Sequence, residues 1–113
     1  MPRLLNTHVV EAWASVTQAP GQKARIRRAT ALRPVLTIHL TERNGSLSRL
    51  HLRARPGGFT CAYGEETVSD YELQWSKPAP WKALPAVLAN FAEHRKTVIC
   101  VPERSAAEQG GGR

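Results

Sequence analysis

Most of the residues and spacings that build common active sites are missing from this chain. Its two cysteines, Cys61 and Cys100, are far from CxxC spacing, so neither a dithiol redox motif nor a paired zinc ligand can be written from them. There is no GxGxxG, no Walker loop and no Ser/His/Asp ordering, which removes the nucleotide-cradling and acyl-transfer signatures. No apolar run approaches the roughly 18 residues a membrane-crossing helix needs, so no membrane span is expected. Near the start, Asn6, Thr7, His8 and Glu11 interrupt any signal-peptide core, so the expected compartment is the cytoplasm and both thiols are expected reduced and buried. Acidic residues are scarce. Nine Asp and Glu stand against 16 Lys and Arg, a formal charge of +7.

What is present fits one globular domain of 113 residues, with 42% apolar and 22% charged residues. Residues 1–102 read as a single α+β domain, and 103–113, ending in Gly-Gly-Gly-Arg, as a disordered tail. Fourteen of the 16 bases are spread from Arg3 to Lys96 rather than gathered at one end. Such an excess favours polyanionic partners through counterion release, although it equally suits a merely solvated surface.

The first helix is expected over residues 7–18, capped by Asn6 or Thr7, with Val9, Val10, Trp13 and Val16 on one stripe and Pro20-Gly21 ending it. Residues 22–33 read as extended: Lys23, Arg25 and Arg27 alternate with Ala24 and Ile26, but Arg28 breaks the pattern. Then Leu36, Ile38 and Leu40 alternate with Thr37, His39 and Thr41, as in a strand buried on one face. Beyond Asn44-Gly45, Leu50, Leu52 and Ala54 alternate with Arg49, His51, Arg53 and Arg55. A two-residue Asn-Gly loop would set Leu40 opposite Arg49. The three-residue loop Arg43-Asn44-Gly45 instead pairs Ile38 with Leu50, Leu36 with Leu52, His39 with Arg49 and Thr37 with His51. The three-residue loop is therefore expected.

Pro56-Gly57-Gly58 makes the next turn, and Phe59, Cys61 and Tyr63 join the core face. A fourth strand is expected at 71–75, with Tyr71, Leu73 and Trp75 on that same face. A second helix follows over 80–95, with Trp81, Leu84, Leu88 and Phe91 on its stripe, then a fifth strand at 97–101. The fold expected is a two-layer α+β sandwich in the order α-β-β-β-β-α-β. A four-stranded antiparallel meander and a C-terminal fifth strand carry both helices on one face.

That assembly leaves a basic sheet face. The candidate nucleic-acid-binding residues are Arg43, Arg49, His51, Arg53 and Arg55, suited to phosphates by charge and by the guanidinium fork. With Phe59, Tyr63, Tyr71 and Trp75 all assigned to the core, base stacking is not expected. The histidines lack the three or four convergent ligands a zinc site needs. No catalytic residue, metal or cofactor is expected, and the chain reads as a non-catalytic module contacting RNA or DNA backbone. The alternatives are a protein-interaction or homodimerisation domain and, further off, an apolar-ligand carrier.

Two outlines are similar. The order helix–meander–helix–strand over residues 35–101, with Trp81 opening the second helix and Lys96-Thr97-Val98 starting the last strand, resembles sterol-carrier-type lipid-binding domains. The chain lacks the extra helices that close a ligand tunnel in that family. A basic sheet between two helices resembles the small Alu-RNA-binding subunits of the signal recognition particle, from which the extra strands depart. Neither resemblance transfers a residue.

Overall fold

The computed structural model describes residues 2–65 and 74–93. Helix α1 (Pro2–Trp13) is followed by strands β1 (Lys23–Arg27), β2 (Leu36–Thr41), β3 (Leu47–Arg55), β4 (Gly58–Glu65) and the two-residue β5 (Ala79–Pro80). A 3-10 turn (Trp81–Ala83) then leads into helix α2 (Leu84–Ala92). The five strands form one antiparallel sheet in the order β1-β2-β3-β4-β5, and the fold is α+β with both helices on one side. The expected strand at 97–101 and tail at 103–113 lie outside the described residues, as does most of the expected strand at 71–75.

Period-two alternation builds the core. Leu36, Ile38, Leu40, Leu50, Leu52, Phe59 and Cys61 are buried against Leu5 and Val9 of α1 and Leu84, Leu88 and Phe91 of α2. The β2–β3 register pairs Ile38 with Leu50, Leu36 with Leu52, His39 with Arg49 and Thr37 with His51, as face parity requires. The loop closes with the Glu42 N–H donating to Ser46 C=O at 2.8 Å. Gly45 takes φ 91° at its end, a backbone setting that side chains rarely tolerate. The Pro56-Gly57 turn likewise keeps Ala54 opposite Phe59, Leu52 opposite Cys61 and Leu50 opposite Tyr63.

Four boundaries differ from the sequence expectation. Helix α1 runs from Pro2 to Trp13 rather than 7–18. Proline suits a first helical turn, and Asn6 is not a cap but a bridge. Its Nδ2 donates to Ala29 C=O at 3.0 Å, and its Oδ1 accepts the Ala29 N–H at 2.8 Å. The extended segment 22–33 contributes a true strand, β1, which ends before Arg28 because Ala29 is held to the helix. Helix α2 is regular only from Leu84, with Pro85 in its first turn and Trp81 in the 3-10 turn before it.

The last difference concerns the segment after β4. Trp75 is not on the core face, and among the described residues the strand pairing there is made by Ala79–Pro80. Ser76 extends the ladder: its N–H donates to Cys61 C=O at 2.8 Å while its Oγ accepts the Cys61 N–H at 3.0 Å. A side-chain oxygen thus does the work of a strand carbonyl. Gly58 permits the close approach of β5, since a Cβ there would run into the Ala79 carbonyl.

Candidate nucleic-acid interface

The register that assembles the core also fixes what stands on the opposite face. Arg25 of β1, His39 of β2 and Arg49 of β3 are successive cross-strand partners, so they form one row across three strands. Lys23 and Arg27 flank Arg25 along β1, opposite Thr41 and Thr37. Lys23, Arg25 and Arg27 are exposed, and His39 and Arg49 are half-buried. Adjacent strands lie about 4.8 Å apart, so the row brings its three basic side chains within mutual electrostatic reach.

His39 lies within that field. Burial, then the guanidinium groups of Arg25, Arg49, Arg27 and Arg33, hold its imidazole below the ordinary value of 6.5. Four arginines press on one titratable ring. Desolvation and like charge both disfavour the protonated form, so His39 is neutral at neutral pH.

Of the five residues expected from sequence, the structure does not make one patch. Arg43 is exposed at the β2–β3 hairpin tip, its side chain packed where a Cβ on Gly21 would be only 2.8 Å away. Arg55 is exposed at the opposite end of β3, roughly 25 Å along the strand by its rise per residue. Arg49 belongs to the row. His51 is a correction: it is 2% exposed, and its Nδ1 lies 3.0 Å from the Thr37 hydroxyl, itself 1% exposed. Alternation placed His51 on the correct face but said nothing about how deeply that face is covered. At the centre of the sheet it holds structure and cannot touch a partner.

Arg53 departs differently. Its guanidinium lies 4.4 Å from the centroid of Trp75, a cation–π contact, and its Nε is buried without an acceptor. Trp75 is therefore on the basic side of the sheet, which overturns its assignment to the core. Phe59 and Tyr63 hold to the expected side: Phe59 is buried, and Tyr63 meets Phe91 edge-on with 6.1 Å between centroids, while Tyr71 lies outside the described residues.

Lys23, Arg25, Arg27 and His39 were not among the five candidates, although His39 was expected on this face and the basic segment 23–28 beside its strand. Their signal was present in the alternation of 23–27, and the hairpin parity that put His39 beside Arg49 needed only one more strand. Arg28 hid it, because a second consecutive arginine breaks period two.

The remaining chemistry is bland. Cys61 is buried with its Sγ 3.6 Å from the Ser76 Oγ. Among the described residues, no group of three His, Cys, Asp or Glu could hold a metal ion. No described helix is long and apolar enough to cross a membrane. His8 stacks on Trp81 with 4.1 Å between centroids and 12° between planes, and Trp81 also meets Phe59 at 5.7 Å. Compared with protein-family models, curated proteins and solved structures, the chain matches none.

Proposed function

We propose that this chain is a non-catalytic module that grips the phosphate backbone of a nucleic acid along its β1–β2–β3 rim. The observation that supports this most is the transverse row Arg25–His39–Arg49, bordered by exposed Lys23 and Arg27. Such a row concentrates positive potential on an accessible edge, where phosphate contacts supply affinity without reading sequence. Arg43 continues the rim at the hairpin tip. Arg53 and Arg55 contribute less, the first because its charge rests on Trp75 and the second because it stands apart. Arg53 occupies one face of the Trp75 ring.

The test is binding of labelled duplex and single-stranded RNA and DNA across a range of salt. Four or five phosphate contacts predict a log–log slope of roughly −3 to −4.5. Binding that is absent, or indifferent to salt, overturns the proposal. A concentrated sample that sediments as a dimer and binds no nucleic acid would assign the rim to protein contact instead.

A further inference from the structure

On the basic face, where the β1–β2 ladder meets the hairpin end, the surface dips into a depression bordered by Lys23, Ala24, Arg25, His39, Thr41 and Leu47. Lys23 faces Thr41 across the ladder and Arg25 faces His39. Leu47, the β3 partner of Thr41, closes the third side with an aliphatic wall. The donors are of complementary kinds: an ammonium, a guanidinium fork, a hydroxyl and an imidazole. An internal phosphodiester carries one negative charge and is strung between neighbours, so it needs a groove open at both ends. A terminal phosphate monoester carries about −1.5 to −2 charges at neutral pH, offers three acceptor oxygens and continues in one direction only.

We propose that this depression seats the terminal phosphate of an oligonucleotide, making the module a reader of phosphorylated chain ends. The proposal rests on the nucleic-acid reading above and sharpens it. Lys23 and Arg25 supply the permanent charge and Thr41 a hydroxyl donor. His39 supplies a conditional charge. Its imidazole is faced by Arg25 and Arg27 from β1, Arg49 from β3 and Arg33 from the segment leading into β2. Burial first, and then these charges, hold the ring in its neutral form; an incoming dianion offsets the repulsion, so binding favours proton uptake by His39.

The experiment uses the full chain and one single-stranded oligonucleotide prepared with a 5′-phosphate, with a 3′-phosphate, or with hydroxyls at both ends. Fluorescence anisotropy is expected to show one phosphorylated form binding about tenfold tighter than the hydroxyl form, as one or two charge-assisted hydrogen bonds would give. The advantage disappears in Lys23→Ala/Thr41→Ala, whose sites lie at the rim of the sheet rather than in the core. Calorimetry at neutral pH, in buffers of different ionisation enthalpy, shows proton uptake for the preferred form, and His39→Gln abolishes it. Equal affinity for all three forms overturns the proposal and leaves backbone binding standing. Failure of all three to bind removes both.

Discussion

The face toward the helices and the face away from them are both sealed at their centres, by different means. On the helix side, the burial comes from large aliphatic and aromatic groups: Leu36, Ile38, Leu50, Leu52 and Phe59 meet Leu88 and Phe91. On the other side, the buried centre is made of Thr37, His51, Thr60 and Ala62. It is small and polar, held by a hydrogen bond between Thr37 and His51, and ringed by arginines. The first face stabilises the fold through apolar area removed from water. Among the described residues of β1–β3, the exposed cations on the second stand at its rim: Lys23, Arg25 and Arg27 on β1, Arg43 at the hairpin tip and Arg55 at the far end of β3. A face can be basic in sequence and closed in its middle.

The comparison breaks most visibly in the core. Phe59→Ala should cost about 3–5 kcal/mol, the range for a deleted buried aromatic, read as a shift of the urea midpoint. A loss under about 1 kcal/mol would mean that the helix-side core is looser than its burial implies. Next in size, Thr37→Val leaves the Nδ1 of His51 without the hydroxyl that faces it, at a cost of about 1–2 kcal/mol. A neutral result would show the polar centre to be dispensable. Arg53→Ala removes the guanidinium from Trp75 and should cost about 0.5–1.5 kcal/mol, accompanied by a change in tryptophan fluorescence. Unchanged fluorescence would deny the stack.

The smallest effect is the one with a pH signature. His39 has a folded value below 6.5, so the unfolded chain binds more protons once the pH drops toward that value. Stability is therefore full above 6.5 and is lost as the pH falls from there through the lower folded value. Denaturation at stepped pH should show this fall, and His39→Gln should flatten it. A wild-type profile that rises on acidification would reverse the sign and remove the arginine field.

Parity carried much of this architecture into plain view. The hairpin register of Leu36, Ile38, Leu50 and Leu52 follows from refusing to oppose leucine with arginine, and the three-residue loop follows from that register. The stripe of Leu84, Leu88 and Phe91 was equally readable. What could not be read were effects that depend on distant partners. Asn6 looks like a cap until Ala29 is seen to bond both ends of its amide. Trp75 looks like a core residue until Arg53 is found upon it. The basic face was legible as a face, but its depth was not: His51 and Arg49 alternate identically in sequence, yet one sits beneath the surface and the other at its margin. Lys23, Arg25 and Arg27 were visible as an alternating run, but their place in the row depends on β1 pairing with β2 rather than remaining a loop.

The most direct test compares the two ends of the basic face in one salt titration of nucleic-acid binding. One sample carries Arg25→Glu/Arg27→Glu and the other Arg53→Glu/Arg55→Glu. The account predicts that the first pair weakens binding far more, with the log–log slope reduced by about two units, while the second changes it by about one or less. A larger loss from Arg53 and Arg55, with Arg25 and Arg27 indifferent, would contradict it.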